Sequence, residues 1–328
     1  MNATSTAKTM RAVVRDQYGG SEVLKLTDVE VPAIAEDGVL VRVAAVSLNR
    51  ADWYTMTGPF IGRPQMGVRK PKSRQIGFDF AGTVEAIGTE VSEFRPGDEV
   101  FGSHSRAFAE YVAVQDAVAH KPAHVSFEAA AAVPMAGVTA LQGLRDKGKL
   151  QPGQHVLVNG ASGGVGTFAV QIAKALGAHV TAVCSPGNVE TARSIGADRV
   201  IDYTSVDFTR GDARYDLILD VAGSRPWSHC KRVLTPTGIL VLVGGPSNRV
   251  LGPLGHAARL ALAALPSRRK AGFFIADVNR SDLDVLGQLL ETRTITPVVE
   301  RRYNLDDIAD ALAYLGRGHA QGKIVLSL

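Results

Sequence analysis

Cysteine and long apolar runs are scarce in this chain of 328 residues, which contains only two cysteines, Cys184 and Cys230. Two cysteines cannot build a disulfide framework or a four-cysteine zinc lobe, so we expect a protein of the reducing cytoplasm. No segment reaches the roughly 20 consecutive apolar residues that a membrane span requires. The nearest approach, residues 254–265, stops at Pro266. We expect a buried helix or a pocket lid there, with a membrane-surface helix as the alternative.

An excess of one charge is also missing, because 36 lysines and arginines face 32 aspartates and glutamates. The formal net charge of +4 is too small for the whole surface to attract a polyanion. One local stretch, residues 63–74, carries five cations and no acid. We expect a solvated loop there, because cations without interleaved aromatic residues make a poor platform for single-stranded nucleic acid. A rim that attracts a coenzyme and a nucleic-acid patch are the alternatives, and we do not expect a nucleic-acid partner.

The order of apolar and turn-forming segments predicts an α/β protein with two domains. The first 125 residues read as short strands separated by glycine and proline turns, which is typical of a compact antiparallel barrel or sandwich. After residue 154, short apolar runs alternate with helical patterns, which predicts a parallel sheet covered on both faces. The predicted parallel strands are residues 155–159, 179–184, 199–203, 216–221, 239–243 and 272–276. Helices at 283–290 and 305–315 and strands at 295–300 and 323–326 could then complete the first domain.

A glycine-rich turn follows the first predicted parallel strand and begins a helix. It contains Gly160, Ser162, Gly163, Gly164, Val165 and Gly166. Glycines let the backbone approach a pyrophosphate closely, and the free N–H groups of a helix N-terminus attract its charge. Ala161 takes the place of the first glycine in the usual G-x-G-x-x-G pattern, but the turn has the strand–turn–helix setting that a dinucleotide site requires. We therefore predict dinucleotide binding at these six residues.

The same turn also fits G-x-S-x-G, the nucleophile elbow of α/β-hydrolases, with Ser162 as the nucleophile. That mechanism needs a later acid and then a histidine, and Asp307 or Asp310 followed by His319 satisfies this order only loosely. Gly166 and the large β-rich region before the motif have no role in a hydrolase. The dinucleotide interpretation is therefore preferred.

The end of the second parallel strand indicates which dinucleotide binds. NAD enzymes usually place an Asp or Glu about 20 residues beyond the glycine motif, where it holds the ribose hydroxyls and repels a 2′-phosphate. Here that place is taken by Ser185, with Asn188 nearby. The next acid, Glu190, lies on the following helix, so NADP is favoured. No Lys or Arg occupies the turn, and Arg193 is the candidate for a cation from elsewhere.

Several segments together resemble one known family. They are residues 77–88 (GFDFAGTVEAIG), 94–102 (FRPGDEVFG), 159–166 (NGASGGVG) and 322–326 (GKIVL). They resemble the signature of the medium-chain dehydrogenase/reductase superfamily, and the chain is most similar to its zinc-independent, zeta-crystallin-like quinone oxidoreductases. The resemblance implies a GroES-like β-barrel catalytic domain from residues 1–124 and 278–328 and a Rossmann domain, a doubly wound parallel sheet, from residues 125–277. It also implies NADPH in the cleft between them and a two-fold homodimer through the edge strand 272–276.

The departures from the zinc alcohol dehydrogenases of the same superfamily are informative. Where those enzymes carry a Cys ligand, a His-Glu pair and a second Cys, this chain has Asn49, Phe78-Asp79 and Met135. Amide, phenyl and thioether groups cannot replace thiolate and imidazole at a tetrahedral zinc, so we expect no metal. His120 and His124 have a ligand-like spacing, but Pro122 between them spoils a helical face, and we expect solvated loop residues.

The resemblance also implies which residues form the site. Asn49 and Tyr54 match polar positions beside the nicotinamide, where Tyr54 supplies a proton or, alternatively, packs as an aromatic at the domain edge. Asp52 matches a position that fixes the loop. The implied coenzyme contacts are Thr139, Ser185, Asn188, Tyr203, Gly244, Phe273 and Phe274. Asn188 stands where those reductases carry a Lys, which weakens the preference for NADPH.

These observations predict a zinc-independent, NADPH-dependent oxidoreductase that transfers hydride to a quinone or an α,β-unsaturated carbonyl. Without a Lewis acid, hydrogen-bond donors must stabilise the charge that develops on the substrate oxygen. The alternatives are an alcohol/ketone oxidoreductase and a non-catalytic NADPH-binding protein with an RNA or partner role.

Overall fold

The structure is a computed structural model that describes residues 8–244, 270–318 and 320–328. The apolar segment 254–265 and His319 lie outside the described residues. The strands are β1 (Thr9–Val14), β2 (Lys25–Glu30), β3 (Val39–Ser47), β4 (Asp79–Ile87), β5 (Glu99–Ser103), β6 (Tyr111–Val114), β7 (Val118–His120), β8 (His155–Asn159), β9 (His179–Cys184), β10 (Arg199–Asp202), β11 (Tyr215–Asp220), β12 (Leu234–Leu242), β13 (Lys270–Phe273), β14 (Val299–Asn304) and β15 (Lys323–Ser327). The helices are α1 (Arg50–Thr57), α2 (Arg63–Met66), α3 (Phe127–Ala131), α4 (Pro134–Gln142), α5 (Gly164–Ala175), α6 (Val189–Ser194), α7 (Trp227–Val233), α8 (Arg280–Glu291) and α9 (Ile308–Gly316).

The parallel sheet has the strand order β10-β9-β8-β11-β12-β13. Val156, Leu157 and Val158 of its central strand β8 are completely buried, as expected for a strand with helices above and below it. The strand order reverses at β8, which pairs with β9 on one side and β11 on the other. In open sheets of this kind, ligands bind beyond the carboxyl ends of the strands at such a switch point. The glycine-rich turn lies there.

The second sheet joins the two ends of the chain. Its strand order is β14-β15-β3-β4-β5-β7, with β6 also paired to β3. Strand β15 runs antiparallel to β3, with Val325 opposite Ser47 and Leu326 opposite Val46. This pairing brings the start of β15 beside the residues that follow β3, and the Leu48 N–H donates to the Ile324 carbonyl over 2.9 Å. The expected fold class, a Rossmann sheet with a GroES-like β domain, is confirmed.

The two sheets meet at the glycine-rich turn. Gly163 forms an isolated parallel bridge with Gly322, directly before β15. A second link joins Gln171 of α5 to Thr296: its side-chain amide donates to the Thr296 carbonyl over 3.1 Å and accepts from the Thr296 N–H over 2.8 Å. Residues of the parallel-sheet body and of the C-terminal segment are therefore tied together at the N-cap of α5 and again at Gln171 in its second half.

Several predicted elements need correction. The strand predicted at 295–300 is β14, Val299–Asn304, because the Thr296 N–H is already bonded to Gln171 and Pro297 has no N–H to give. The edge strand predicted at 272–276 ends at Phe273, where its ladder with β12 ends opposite Leu242. The helices α1, α3 and α4 were not predicted.

Two loop predictions also need correction. The basic segment 63–74 begins with the short helix α2 rather than a loop, and the Arg63 guanidinium lies over the Phe60 ring at 4.3 Å. His120 belongs to β7 rather than to a loop, although it is exposed. Within the described ranges, no helix is long and apolar enough to cross a membrane.

Candidate active site where the two sheets meet

The glycine turn is shaped by steric constraints that only glycine meets. Gly160 follows β8 with φ of +89°, a left-handed conformation that L side chains rarely adopt. A Cβ built on Gly166 would lie 2.1 Å from the Gly160 carbonyl oxygen, so the first turn of α5 packs directly on the backbone of the loop. Ala161 is completely buried, so its methyl group belongs to the core. The alanine in place of the first glycine of the pattern is therefore accommodated.

The start of α5 offers unused hydrogen-bond donors. Gly163 occupies the N-cap position and supplies no side-chain cap, while its N–H donates back to the Gly160 carbonyl over 3.2 Å. The N–H groups of Gly164, Val165 and Gly166 find no backbone acceptor among the residues that the structure describes. Free N–H groups at a helix N-terminus bind anions, and a Cβ on Gly163 would be 3.6 Å from its nearest neighbour. These residues fit the pyrophosphate of a dinucleotide.

The loop after β9 brings three of the predicted coenzyme residues close together. The Asn188 side-chain amide is buried and donates to the Ser185 hydroxyl over 2.7 Å. The Tyr203 N–H donates to the Cys184 carbonyl over 3.2 Å, which places the half-exposed Tyr203 at the edge of the same loop. Arg193 pairs with Glu190 on α6, with 2.7 Å between Nη1 and Oε1, so its charge is already partly neutralised. The polar groups at this end are thus hydroxyl and amide groups.

A buried polar network lies on the other side of the turn, centred on Asp79 at the start of β4. Its Oδ2 accepts from the Asn49 side-chain amide over 2.8 Å and from the Ser47 hydroxyl over 3.2 Å. Its Oδ1 accepts from the Met135 N–H over 3.1 Å. Lys323 Nζ lies 3.6 Å from Oδ2. Three elements of the chain, β3, α4 and β15, are therefore held to one carboxylate.

Burial controls the charges in this network. Asp79 is fully buried, which raises the pKa of its carboxyl group, although the nearby Lys323 ammonium opposes the shift. Burial also lowers the pKa of Lys323, which is 2% exposed. Asp52 is fully buried as well, and desolvation raises the pKa of its carboxyl group well above the ordinary value. Charges in such a site are stabilised only by direct partners.

Asp52 fixes the turn that carries Asn49. Its Oδ2 accepts from the Asn49 N–H over 2.6 Å, and its own N–H donates to the Asn49 carbonyl over 3.0 Å. Asn49 is thus held at the N-cap of α1 by a residue three positions further on, which is a common way to begin a helix. This geometry agrees with the loop-fixing role that the resemblance implies for Asp52.

The other predicted residues differ in how closely they approach this network. Thr139 joins it through Met135, whose carbonyl accepts from the Thr139 hydroxyl over 2.6 Å. Tyr54 lies on α1 with the Arg50 guanidinium 5.6 Å from its ring centre. Among the described residues, no side chain or carbonyl hydrogen-bonds the Tyr54 hydroxyl. The structure therefore brings Asn49 and Thr139 together but does not tie Tyr54 to them.

The remaining coenzyme candidates lie at the carboxyl ends of the last two parallel strands. A Cβ on Gly244 would lie 2.5 Å from the Val221 carbonyl oxygen, so the chain beyond β12 passes close to the end of β11. Phe273 packs into the core beneath β12, whereas Phe274 packs towards α4 and the turn after it. All three lie on the edge of the sheet where the glycine turn lies.

Lys323 is the site residue that sequence analysis missed. The signal was present, because a lysine directly after Gly322 interrupts an otherwise apolar closing strand. Lysine is almost never fully buried unless it is paired, so its place in a buried strand points to a partner. In the sequence, Asp79 was noted only because it replaces a metal ligand of the zinc enzymes. Its place at the centre of a hydrogen-bond network depends on the pairing of strands, which the periodicity of the sequence does not predict.

The donor set of this network does not fit zinc. Both oxygens of Asp79 are engaged by N–H, hydroxyl and ammonium donors, and the neighbouring groups are an amide, a backbone N–H and the thioether side chain of Met135. Zinc in proteins takes thiolate, imidazole or carboxylate ligands. In the ranges that the structure describes, no cluster of three or more His, Cys, Asp or Glu residues could hold a metal ion.

A parallel sheet with a glycine turn at its switch point, packed against a β-rich body, defines the class of two-domain dinucleotide-binding proteins. Comparisons with known proteins agree. Residues 35–124 match the family described as alcohol dehydrogenase GroES-like domain, and residues 195–326 match the family described as zinc-binding dehydrogenase.

Individual relatives match nearly the whole chain. A chloroplastic quinone-oxidoreductase of Triphysaria versicolor is 33% identical over 335 residues, which span 97% of this chain and 98% of that protein. A chloroplastic NADPH-dependent alkenal/one oxidoreductase of Arabidopsis thaliana is 32% identical over 346 residues, 99% of this chain and 82% of that protein. The solved structure of the quinone oxidoreductase from Coxiella burnetii has a TM-score of 0.86 and 31% identity, and the match covers 98% of this chain and all of that one.

The chain therefore belongs to the medium-chain dehydrogenase/reductase superfamily, in its quinone oxidoreductase branch. It is an oxidoreductase, as predicted, and the family membership is confirmed. The hydrolase alternative for Ser162 finds no support, because the chain is an oxidoreductase and in the described part of the chain no histidine ring hydrogen-bonds the Ser162 hydroxyl.

Proposed function

We propose that the protein is an NADPH-dependent reductase of quinones or α,β-unsaturated carbonyl compounds that works without a metal. One observation carries this proposal: the side-chain carbons of Lys323 pack against Gly164 of the glycine turn while its ammonium donates to the Asn49 Oδ1, so the turn and the Asn49 amide lie at one place. The names of the relatives, which include quinone oxidoreductases and an alkenal/one oxidoreductase, support the substrate classes. The names of two relatives, an NADPH-dependent alkenal/one oxidoreductase and an NAD(P)H oxidoreductase, support a nicotinamide coenzyme.

Residues of the chain itself bind and select the coenzyme. Gly164, Val165 and Gly166 hold the pyrophosphate by their N–H groups, together with Gly160, Ser162 and Gly163 of the same turn. The adenosine end lies against Ser185, Asn188 and Tyr203. None of these three carries a negative charge that would repel a 2′-phosphate, as the usual Asp or Glu of NAD enzymes does, which favours NADPH over NADH. Thr139, Gly244, Phe273 and Phe274 line the nicotinamide end.

When it is bound, the nicotinamide supplies the hydride that reduces the substrate. The task of the protein is to stabilise the negative charge on the substrate oxygen. Asn49 is suited to this task because its amide nitrogen has two hydrogens, and Asp79 accepts only one of them. A well-aimed donor of this kind is worth about a hundredfold or more in kcat. Tyr54 has an unengaged hydroxyl within the described residues, and we assign it the role of proton donor.

The experiment is a substrate panel. Oxidation of NADPH would be followed at its absorbance band with quinones, enones, aldehydes and ketones in turn. We expect turnover with quinones or enones, and a kcat about a hundredfold lower in Asn49→Ala. Tyr54→Phe should slow enone reduction more than quinone reduction, because only the enone needs a proton on carbon. Turnover restricted to alcohol/ketone pairs would instead indicate an alcohol/ketone oxidoreductase. NADPH binding without any turnover would indicate a non-catalytic NADPH-binding protein.

The remaining features of the proposal concern organisation. We propose a catalytic domain from residues 1–124 and 278–328 and a coenzyme domain from residues 125–277. This division is supported by the sheets, because β8 to β13 form the parallel sheet, while β3 to β7, β14 and β15 form the other large sheet and β1 and β2 a two-stranded one. A homodimer through β13 is supported by its unpaired edge in the described part of the chain and by Ile275, which is 80% exposed. A cytoplasmic location is supported by the two cysteines, both buried and free.

A further inference from the structure

Lys323 occupies a buried position between the glycine turn and Asn49. Its side-chain carbons pack against the turn, since a Cβ on Gly164 would lie 3.0 Å from Lys323 Cδ. Its ammonium donates to the Asn49 Oδ1 over 2.7 Å and to the Leu48 carbonyl over 3.0 Å. A lysine buried this deeply is rare and requires partners for its donors. Here the partners are the side chain and backbone of the loop that carries Asn49.

The chemistry of its two neighbours permits only one orientation of the Asn49 amide. An ammonium group has hydrogens to donate and no acceptor, so it must face the amide oxygen. An ionised carboxylate accepts only, so Asp79 must face the amide nitrogen. A flipped amide would point its NH₂ group at Lys323 and its oxygen at Asp79, which are two repulsive contacts in a buried site. Lys323 and Asp79 therefore fix both the position and the orientation of the donor.

We propose that Lys323 is a positioning residue that locks the Asn49 amide and couples its placement to the coenzyme turn. This inference rests on the proposed function of Asn49. Without Lys323, the amide oxygen loses its donor, and a protonated Asp79 could donate to that oxygen as well as accept from the nitrogen. Both orientations then become accessible, and only one of them presents an N–H to the substrate.

The first test is a double-mutant cycle in kcat. We expect Lys323→Met to lower kcat about 10- to 100-fold and Asn49→Ala about 100-fold. The double variant should lose no more than Asn49→Ala, because Lys323 acts only through that amide. The Kd for NADPH should change less than about threefold in every variant. Lys174→Met is the matched control: it removes another ion-paired lysine, bonded to Asp198 at the far end of α5, and should leave kcat unchanged.

The second test reads the amide directly and needs no coenzyme. The Asn49 NH₂ signals in a nitrogen-15 NMR spectrum are assigned by their disappearance in Asn49→Ala. We expect one set of slowly exchanging signals in the native protein, and broadened, doubled or rapidly exchanging signals in Lys323→Met. If native Asn49 shows this behaviour while the protein fails to bind NADPH or to reduce any substrate, the proposed function is wrong and the locking of the amide stands.

In Lys323→Met the buried Asp79 charge is left without its partner, which can unfold a protein. A second variant therefore separates loss of the Asn49 lock from loss of folding. Asp79→Asn combined with Lys323→Met removes both charges and is expected to fold, because replacing both partners of a buried pair is often neutral. It should retain NADPH binding and still show the loss of kcat. If the loss of kcat in the double variant equalled the product of the losses in Lys323→Met and Asn49→Ala, the proposal would be overturned. It would also be overturned by a Lys323→Met variant whose kcat is intact while its Kd for NADPH rises, because the lysine would then be a coenzyme ligand.

Discussion

The first turn of α5 rests on the loop before it through a direct contact between Gly166 and Gly160. A Cβ on Gly166 would lie 2.1 Å from the Gly160 carbonyl oxygen, and the next-nearest atoms, at 2.7 and 2.8 Å, belong to the backbone of Ala161. Backbone atoms cannot move aside as a flexible side chain can. The contact therefore fixes how closely the N-terminus of α5 approaches the end of β8.

This contact predicts the effect of Gly166→Ala. The added methyl group must displace the helix start, which costs roughly 1–3 kcal/mol of folding stability. It also moves the three free N–H groups away from the coenzyme, so we expect the Kd for NADPH, measured by fluorescence titration, to rise at least tenfold. Gly211→Ala is the control, since a Cβ there meets nothing within 4 Å and its φ of −80° suits any residue. Equal Kd values in the two variants would contradict this assignment of the turn.

The proposed selection of NADPH over NADH depends on charge at the end of β9. In Ser185→Asp, a carboxylate replaces the hydroxyl that accepts from the Asn188 amide, at the place where NAD enzymes carry an acid. We expect the Kd for NADPH to rise at least tenfold while the Kd for NADH stays level or falls. Ser281→Asp places the same charge on an exposed residue of α8 and should alter neither value. A protein that prefers NADH before mutation would refute the preference for the 2′-phosphate.

We expect the Asp79→Asn protein to be less stable than the native protein by an amount that depends on pH. Burial lowers the pKa of Lys323, while Asp79, and more weakly Asp52, raise it. Removing the Asp79 charge therefore lowers the pKa of Lys323 further below its unfolded value of about 10.4. A depressed lysine pKa costs stability that grows as the pH falls below that unfolded value. The deficit in Tm relative to the native protein should thus be larger at pH 7 than at pH 10.

Circular dichroism melting at both pH values tests this expectation. At pH 7 the loss should approach the roughly 3–5 kcal/mol that follows from breaking a buried ion pair. Adding Lys323→Met to Asp79→Asn should remove most of the pH dependence, because Asp52 is then the one buried titratable group left in the network. A deficit of equal size at pH 7 and pH 10 would show that the ammonium is not coupled to Asp79.

The exposed side chain beyond β13 predicts the oligomeric state. If β13 pairs with its copy across a two-fold axis, light scattering should give about twice the chain mass of 34.7 kDa. Ile275→Asp should shift the protein towards the monomer, because the charge would be buried in the interface. Val68→Asp, which changes a side chain 67% exposed on the other sheet body, is the matched control. A native protein of monomer mass would exclude the interface.

Sequence patterns predicted the parallel sheet well because its strands are continuous apolar runs. The strands β8 and β9 lie at their predicted bounds, and the ends of the other predicted parallel strands differ by up to five residues, most at the start of β12. The N-terminal sheet was predicted less completely. Its short strand β7 and the alanine-rich helices α3 and α4 have little periodicity, and the sites where they pack are set by contacts distant in sequence.

The candidate site shows the same division. The glycine turn could be predicted because its spacing is local, whereas Asn49 was named only through the resemblance and its role stays a prediction. The contact between Lys323 and Asn49 could not be predicted, since it joins residues 274 positions apart through the pairing of β15 with β3. No periodic pattern in the sequence encodes the pairing of β15 with β3. From the sequence alone, Lys323 was therefore interpreted only as part of the closing strand.

The most direct test of the central claim is a comparison of kcat before and after removal of metal. The purified protein would be analysed for zinc, treated with EDTA, and assayed with NADPH and its best quinone or enone. From the proposal that hydrogen-bond donors alone stabilise the charge on the substrate oxygen, we predict less than one zinc per ten chains and an unchanged kcat. A kcat that falls on chelation and returns when zinc is added back would contradict the account.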